Sequence, residues 1–420
     1  MNLLKAKKHL NSSKSKFTLL VFLLSISIIP SCSDHDILSI KLAKYPNGKD
    51  FAFTIIDDPD YGTFEERYIM FGLLDELGFK TTTCVWVLDN KHGSGMNAGK
   101  SNTRGITTTD ESYLTFLYDL QNKAFEICFH TVSPGNDLRE ETQNGYELFK
   151  EQFGHYPKIN TNHATNLEDI YWGKDRFSNP IMRYLYGIIA NPFYGHTKTS
   201  QYFWGDICQE KTKYVRGWAT DKINTLSTNK TMPYHLDEKP YVNWWFGCSD
   251  GYNCNKFIRL LSDANIKKLI AERGTCIAYT HFAYGFIAKD SKVVNEDVKK
   301  QLSKLSQLDG WFVPVSNILD RFLLLRNVEL INDHNSVLII NHNHETVNGL
   351  TVLTNQNRVY LFNRSEWIYP NKDGEIILGN LPPYSALKLG RSEKLPKNYS
   401  PGIGERITIV WDWFAGRFNK

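Results

Sequence analysis

The sequence of 420 residues lacks a strong charge imbalance and has few cysteines. Lys and Arg number 49 against 45 Asp and Glu, and five of the lysines lie in residues 1–31, which contain no acid. The rest of the chain is therefore close to neutral, which argues against a basic nucleic-acid-binding domain. The seven cysteines include no Cys-x-x-Cys pair, so a zinc site built from thiolates is not expected. A disulfide between Cys248 and Cys254 remains open from the sequence.

The apolar run near the start of the chain is too short to span a bilayer comfortably. The run Phe17–Ile29 follows five lysines and has the length of a signal-peptide core, whereas a spanning helix needs about 20 residues. We therefore interpret residues 1–31 as an export signal. The sequence Ile29-Pro30-Ser31-Cys32 resembles the lipobox of bacterial lipoproteins, in which the cysteine becomes the lipidated N-terminus. This resemblance implies a membrane anchor at Cys32 and a place in the bacterial cell envelope, on its outer-membrane, periplasmic or surface face. The alternative is ordinary cleavage nearby.

The stretch Phe51–Asp60 is the first candidate for chemistry. Its apolar, β-branched start predicts a buried strand, and this strand ends in Asp57, Asp58 and Asp60. Neighbouring carboxylates repel each other, and a cation or a shared proton offsets that repulsion. The alternative is a solvated Asp-Pro-Asp turn without a role.

The region after this stretch alternates strands and helices. Helical spacing over 65–77 followed by an apolar strand at 80–88 predicts a parallel βαβ unit. The pattern predicts further strands at 125–130, 156–163, 275–281 and 310–315, and further helices at 113–122, 138–153, 256–273, 294–307 and 317–325. The stretch 171–255 is harder to read and is interpreted as mixed strands and long loops. His130, His163 and His281 stand at strand ends, where catalytic groups gather in barrels of this kind.

The sequence predicts five segments. Residues 1–31 are the signal and 32–45 a tether, followed by a (β/α) barrel over 46–326. Short alternating apolar runs over 327–392, separated by Asn, Gly and Pro turns, predict a small all-β domain, a β-sandwich. Residues 393–420 form a tail, and its run Ile407–Phe414 is apolar enough to dock on the protein or touch a membrane.

The run Phe53-Thr-Ile-Ile-Asp-Asp58 resembles the first motif, Thr-Phe-Asp-Asp, of the polysaccharide deacetylases of the NodB-homology group, carbohydrate esterase family four. The resemblance covers residues of about 45 to 325 and implies a distorted (β/α) barrel. It assigns Asp57 as the general base and Asp58 as a metal ligand. Phe129-His130-Thr131 is similar to the start of the second motif, which makes His130 a ligand. Thr280-His281 is similar to the last motif, whose histidine, His281, is the general acid.

Two departures from that family's pattern concern its remaining site residues. Pro134 stands where the family has its second histidine ligand. Where the family has an arginine that holds the base, this chain has Asn160-Thr-Asn-His163. We expect His163 to serve as the third ligand or a substrate contact, with Asp137 and Asp206 as other candidates. The alternative for His163 is a loop histidine without a role.

The resemblance implies a hydrolase that uses a divalent metal ion, expected to be zinc, to remove N-acetyl groups from a cell-envelope or extracellular polysaccharide or oligosaccharide. A metal-bound water attacks the acyl carbon, Asp57 takes its proton, and His281 protonates the leaving amine. One alternative is a catalytically silent glycan-binding lipoprotein on the same fold. Another is a metal-dependent hydrolase of a different bond.

Overall fold

The computed structural model describes residues 38–95, 97–98, 105–189, 192–333 and 335–393. The signal 1–31, Cys32, the first part of the tether, and the tail with Ile407–Phe414 lie outside these residues. Among the helices described, none combines the length and the apolar character that a bilayer crossing requires.

The secondary structure alternates through the first two thirds of the chain and is all-β after residue 327. The strands are β1 (Ile40–Leu42), β2 (Phe51–Asp57), β3 (Thr82–Val85), β4 (Gly93–Ser94), β5 (Asn97–Ala98), β6 (Glu126–Phe129), β7 (Ile159–Thr161), β8 (Tyr214–Thr220), β9 (Trp244–Asp250), β10 (Thr275–Thr280), β11 (Gly310–Phe312), β12 (Val328–Asp333), β13 (Ser336–Asn341), β14 (Val347–Thr354), β15 (Val359–Leu361), β16 (Glu366–Ile368), β17 (Glu375–Leu381) and β18 (Ala386–Gly390). The helices are α1 (Phe64–Glu76), α2 (Glu111–Asn122), α3 (Arg139–Phe153), α4 (Pro180–Ile189), α5 (Gly205–Lys211), α6 (Cys254–Leu260), α7 (Asp263–Ala271), α8 (Glu296–Ser306) and α9 (Val315–Arg326).

Seven parallel strands close into a barrel. Their order around it is β2, β3, β6, β7, β8, β9 and β10, and β10 returns to β2 in the register Thr275↔Ala52 to Thr280↔Asp57. Strand β3 pairs only with the carboxyl end of β2, while β11 pairs with its amino end from Phe51 to Phe53. This split pairing distorts the barrel. The barrel class expected from the sequence is confirmed.

Side chains alternate between the barrel interior and the surrounding helices, as the period of a strand requires. Phe51, Phe53 and Ile55 of β2 belong to the apolar layer beneath the helices, whereas Ala52 and Ile56 belong to the interior layer. Helix α9 covers the amino end of that interior with three apolar side chains, Ile318, Leu319 and Phe322. The barrel interior is therefore closed at this end.

Local signals fix the helices that follow the strands. Thr63 and Glu66 form a reciprocal capping box at the start of α1, directly after the acidic turn. Gly154 ends α3 in the left-handed conformation, with φ +80°, which glycine adopts without a side-chain penalty. The helix predicted over 256–273 is two helices, α6 and α7, separated by Leu261 and Ser262.

The all-β segment forms two sheets packed around one apolar core. One sheet has the order β12-β13-β18-β15-β16, and the other has the order β1-β14-β17. Strand β1 pairs antiparallel with β14, from Ile40↔Thr354 to Leu42↔Val352. The described part of the predicted tether is therefore not a linker, because Leu38 and Ile40 are buried in this core.

The sandwich contacts the amino end of the barrel. Tyr45 donates its hydroxyl to the carbonyl of Arg273, just before β10, at 3.1 Å. Arg273 itself forms an ion pair with Glu375 of β17, and Arg321 of α9 donates to the carbonyl of Asn348 at 2.5 Å. The opposite end of the barrel, where the strands finish, is left for the cavity described below.

Candidate metal centre

A cavity of about 430 Å³ opens at the carboxyl ends of the barrel strands. Its polar lining comes from the acidic turn after β2 and from residues at or just beyond the ends of β6, β7, β8 and β10: Asp58, Asp60, His130, Asn162, His163, Arg216 and His281. Three of the strand-end residues singled out in the sequence, the histidines, thus lie in one cavity. This is the face at which (β/α) barrels place their reacting groups.

Asp60 lies at the centre of the three histidines. Its Oδ1 atom is 3.0 Å from Nε2 of His163, and its Oδ2 atom is 3.1 Å from Nε2 of His130 and 3.4 Å from Nε2 of His281. All four residues are buried. Asp60 had been left without a chemical role in the sequence analysis, whereas the structure makes it the carboxylate that these imidazoles share.

Each histidine presents Nε2 because its Nδ1 atom is already used. Nδ1 of His130 is 2.6 Å from the hydroxyl of Thr161, which donates its own hydrogen to the carbonyl of Phe129. Nδ1 of His163 is 2.9 Å from Oδ1 of Asn166, and Nδ1 of His281 is 3.1 Å from the carbonyl of Tyr252. Acceptors at Nδ1 assign a proton to that atom in each ring, so Nε2 is the nitrogen that faces Asp60, with a lone pair in a neutral imidazole and with a second N–H in an imidazolium.

Burial and neighbouring charges shift the pKa values of Asp60, His130 and His281 in different directions. Burial lowers the pKa of His130 despite the nearby Asp58 and Asp60. Burial alone would raise the pKa of Asp60, but His130 and His163 outweigh it and hold that pKa well below its usual range. Burial opposes a positive charge on His281 as well, yet its hydrogen bond to Asp60 and the charges of Asp58 and Asp60 raise its pKa.

Asp60, His130 and His163 fit a divalent metal ion. Their candidate ligand atoms all lie within 4.8 Å of one another, and two carboxylate or imidazole ligands of one tetrahedral zinc ion are about 3.4 Å apart. Oδ2 of Asp60 is buried, and its polar neighbours among the described residues include Nε2 of His130 at 3.1 Å and Nε2 of His281 at 3.4 Å. Imidazole lone pairs that face a carboxylate repel it unless a proton or a cation lies between them. The donor set is therefore one that a cation completes.

Asp58 is held by an arginine instead of by imidazoles. Nη1 of Arg216 lies 2.8 Å from Oδ1 of Asp58, and Nη2 lies 2.5 Å from Oδ2. Burial raises the pKa of Asp58, but Arg216 outweighs it and the net shift is downward. Nε2 of His130 is 3.6 Å away, so Asp58 is an ionised carboxylate beside the candidate metal ligands. Arg216 reaches this carboxylate from β8.

Asp57 lies outside the cavity, on the helix side of β2. Its side chain is fully buried, contacts Nη1 of Arg67 at 2.8 Å and accepts the backbone N–H of Phe282 at 2.9 Å. Burial raises its pKa to about 6, with Arg67 opposing the shift. The expectation that Asp57 acts as the base does not fit this position, because the alternation of β2 directs its side chain away from the cavity.

The two other acids considered as ligands are elsewhere. Asp137 is buried among Ser133 and Glu168 in the turn before α3 and does not line the cavity. Asp206 forms a two-pronged ion pair with Arg139 at the surface, with both distances 2.7 Å. Pro134 belongs to the loop after β6, where its carbonyl accepts the hydroxyl of Ser94 at 3.3 Å.

The sequence analysis missed Arg216 and the residues that orient the histidines. Arg216 lies within the run Tyr214–Thr220, and a charge inside an otherwise strand-forming run is the signal that could have marked it. Thr161 and Asn166 carry no such signal, because short polar residues are common beside strand ends.

Aromatic rings form the walls of the cavity. Trp172, Trp218, Tyr252, Tyr279 and Tyr284 contribute to the lining. The Tyr252 and Tyr284 rings lie 4.7 and 4.8 Å from the imidazole of His281. The arrangement is an apolar-walled cleft with convergent polar groups at its floor, as in sites for small organic ligands.

Comparison with known proteins finds distant likenesses only. No protein-family model and no curated protein matches the sequence. Among solved structures, the chain is similar to a candidate polysaccharide deacetylase from Mycobacterium smegmatis, with 12% identity, a TM-score of 0.39, and coverage of 67% of this chain and 93% of that one. Puue allantoinase matches with 10% identity, a TM-score of 0.40 and coverage of 67% and 93%. A family 4 acetyl xylan esterase from Clostridium thermocellum, in complex with cobalt, matches with 12% identity, a TM-score of 0.30 and coverage of 64% and 90%. These values are too low to support an argument about function, which therefore rests on the site.

Proposed function

We propose that this chain is a metal-dependent hydrolase, a divergent member of the polysaccharide deacetylase superfamily, that removes acyl groups from an N-acylated glycan. The observation that carries the proposal is the convergence of Asp60, His130 and His163 beside an arginine-held carboxylate, Asp58. Asp60, His130 and His163 would hold the ion, and zinc suits such a mixed carboxylate and imidazole set. The substrate class follows from the aromatic walls and from the resemblance of the motifs.

A bound divalent ion would polarise the acyl carbonyl and lower the pKa of a water molecule. Asp58 takes the proton from the attacking water, and Arg216 holds this carboxylate ionised and in one orientation. His281, whose pKa is raised, gives a proton from Nε2 to the leaving nitrogen. The backbone carbonyl of Tyr252 fixes its ring through Nδ1. The base is thus moved from Asp57 to Asp58, and the carboxylate ligand from Asp58 to Asp60.

We also propose that the chain is exported and anchored by lipid at Cys32. The support is the sequence alone: a lysine-rich start, the apolar run Phe17–Ile29 and the lipobox-like ending.

Metal content tests the ligand assignment. Purified protein should hold about one divalent ion per chain by elemental analysis, and Asp60→Asn and His130→Ala should each lower this content severely. Asp206→Asn removes a surface acid that pairs with Arg139 and serves as the control, so its metal content should stay unchanged. A wild-type protein that binds glycans but takes up no ion would favour the silent glycan-binding alternative.

Activity on N-acetylated and O-acetylated oligosaccharides tests the base and the bond. Asp58→Asn should lower kcat by about 10²–10⁴ while metal is retained. Asp57→Asn breaks a buried ion pair and should instead cost about 3–5 kcal/mol of stability, with kcat of the folded protein kept within a few-fold. The assignment fails if Asp57→Asn, and not Asp58→Asn, abolishes turnover in folded protein. Turnover of O-acetyl substrates alone would show that the enzyme cleaves a different bond.

A further inference from the structure

A second, smaller cavity adjoins the candidate metal centre and is called here the side cavity. It has a volume of about 290 Å³ and is lined by Arg176, Trp218, Tyr234, Lys239 and Trp245, together with Tyr171 and other residues. Arg176 and Trp218 line both cavities. A ligand long enough to pass Trp218 can therefore occupy both at once.

The side cavity contains two cations without a carboxylate partner. Lys239 is only 6% exposed, and its ammonium group donates to the backbone carbonyl of Arg176 at 2.9 Å. The guanidinium of Arg176 lies 4.3 Å from the centre of the Trp172 ring. Within the described residues, neither side chain forms an ion pair with a carboxylate. Two acids lie in this region: Asp175 pairs with Lys174, Arg183 and His196, and Glu238 accepts the hydroxyl of Ser178 at 2.8 Å.

The contacts of these two cations are a carbonyl and aromatic rings: Lys239 is buried and also lies 5.6 Å from the centre of the Trp245 ring, and Arg176 is exposed at the rim over Trp172. A buried charge is normally paired, because water no longer solvates it. Burial lowers the pKa of both Lys239 and Arg176, and the charge of Glu238 opposes the shift at Lys239. An anion in the side cavity would supply a partner and would be held by a buried ammonium and a guanidinium together.

The remaining walls of the side cavity are aromatic. Close packing of the Trp218 ring against the backbone of β9 helps to fix its position. The indole N–H of Trp218 donates to the hydroxyl of Tyr234 at 3.0 Å, which leaves the hydrogen of that hydroxyl for a ligand. A side chain at Gly247 would put its Cβ atom 2.3 Å from the Trp218 ring, so glycine there lets the ring lie against β9. A register shift in β8 between Arg216 and Trp218 places both side chains at the cavities.

We propose that the side cavity binds a sugar residue with an anionic substituent, a carboxylate or a sulfate. That residue is joined to the N-acylated sugar whose acyl group lies at the metal centre. The aromatic rings contact the faces of the sugar ring, and Lys239 and Arg176 bind the anion. The volume is at the lower edge of the range of about 300–1,000 Å³ for ligand pockets, which suits a single sugar residue. The inference rests on the proposed function for its neighbouring sugar, but binding of the anion does not require catalysis.

Binding of three tetrasaccharides tests the proposal, measured by calorimetry at low salt in buffer with EDTA. The probes are a hyaluronan tetrasaccharide, which alternates carboxylate-bearing and N-acetylated sugars, chitotetraose, which is N-acetylated and neutral, and a 6-O-sulfated chitotetraose. We expect at least one anionic probe to bind at least tenfold more tightly than chitotetraose, and the tighter of the two identifies the anion. Equal affinity for all three probes would overturn the proposal.

Variants test whether the cations of the side cavity cause the preference for the anionic probe. Lys239→Met and Arg176→Gln should each remove most of the preference for the anionic probe, measured as the ratio of its affinity to that of chitotetraose in the same variant. Lys198→Met removes an exposed lysine from the segment after α4 and should retain the preference. Arg176 is a rim residue, so Arg176→Gln keeps the test decisive even if Lys239→Met does not fold. If Lys198→Met and Arg176→Gln lower the affinity for the anion equally, the effect is one of net charge and the proposal fails.

The hydrolase proposal can be disproved without disproving anion binding in the side cavity. The binding is measured without metal. A protein that takes up no ion but still prefers the anionic probe would therefore contradict the hydrolase assignment, while the side cavity would remain an anionic-sugar site. Asp60→Asn should likewise retain the preference while losing metal.

Discussion

At the scale of single residues, the site depends on which side of one strand each carboxylate lies. Asp57 follows Phe53 and Ile55 on the outer face of β2, where it contacts Arg67. Asp58 and Asp60 fall on the inner face, where Arg216 and the histidines lie. A difference of one position thus separates a carboxylate that stabilises the fold from one that is suited to chemistry.

The residues behind the histidines should tune metal affinity. Thr161→Val removes the acceptor for Nδ1 of His130 at nearly constant volume, so the imidazole loses its fixed tautomer and orientation. We expect metal affinity to fall about 10- to 100-fold, measured by competition with a chelating dye. Thr142→Val, which removes a buried hydroxyl without a hydrogen-bond partner in α3, is the control and should leave the affinity unchanged. Equal effects of the two changes would contradict the assigned role.

A buried carboxylate next to the site predicts a pH dependence of stability. Burial raises the pKa of Asp137, while hydrogen bonds from Ser133 oppose the shift, and burial together with Asp137 raises the pKa of the neighbouring Glu168. The pKa of Asp137 in the unfolded chain is about 3.9, so the folded protein keeps a proton that the unfolded chain releases. Its contribution is fully present below about pH 4 and is lost as the pH rises through the raised pKa of the folded state.

Asp137→Asn should therefore flatten the fall of unfolding free energy above about pH 4 by up to about 1.4 kcal/mol per pH unit. Urea titrations at several pH values measure this slope. Asp290→Asn changes an exposed acid and should leave the slope as in the wild type. A slope that Asp137→Asn does not alter would show that Asp137 is ionised in the folded protein.

At the scale of elements, hydrophobic periodicity and helix-capping residues predicted the strands and helices whose signals are local in the sequence. The strand at 51–57, helix α1 and the histidine-terminated strands β6 and β10 were all expected from apolar period and flanking polar residues. The alternation of side chains along β2 also places Asp57 on the opposite side of the strand from Asp58. The stretch 171–255 could not be read, because β8 and β9 contain a register shift and aromatic residues that serve the cavities rather than a regular core.

Strand β1 was missed because its partner is remote in sequence. An isolated run of three residues, Ile40–Leu42, has no periodicity to distinguish it from a linker, and only β14 makes it a strand.

Because β1 is buried, removing one of its apolar side chains should destabilise the protein, whereas the same change in an exposed tether would not. Ile40→Ala removes a side chain from the sandwich core and should lower the free energy of unfolding by about 2–5 kcal/mol, measured by urea titration. Lys41→Ala changes the exposed neighbour and should cost less than about 0.5 kcal/mol. If Ile40→Ala were as harmless as Lys41→Ala, residues 40–42 would be a linker after all.

At the scale of the whole molecule, the sandwich and the α9 helix together close one end of the barrel and leave the other for ligands. Contacts across this junction come from Tyr45, Arg273, Arg321 and Glu375. The chain enters the sandwich at β1, forms the barrel and returns to the sandwich at β12, so the two parts are joined twice. We expect them to unfold together.

The ion pair between Arg273 and Glu375 tests this coupling. Glu375 is buried and also accepts a hydrogen bond from Asn371 at 2.9 Å, so Glu375→Ala should cost about 1.5–3 kcal/mol and shift one common transition. Tryptophan fluorescence and far-ultraviolet circular dichroism along a urea titration measure it. Glu366→Ala, which removes an exposed partner of Arg364, should cost less than about 1 kcal/mol. Two separate transitions, with only one of them shifted, would show that the sandwich unfolds on its own.

The pairing of β1 with β14 also sets the order in which a growing chain can fold. The backbone N–H of Ser39 donates to Oδ1 of Asn355, a partner 316 positions later, so β1 cannot pair until nearly the whole described chain has been made. Until then its edge groups and apolar side chains remain open, because contacts between remote positions form late. All the barrel strands are complete before β14 emerges. The first of the described strands to be synthesised is thus among the last to be secured, and premature release of the chain would leave this edge exposed to other chains.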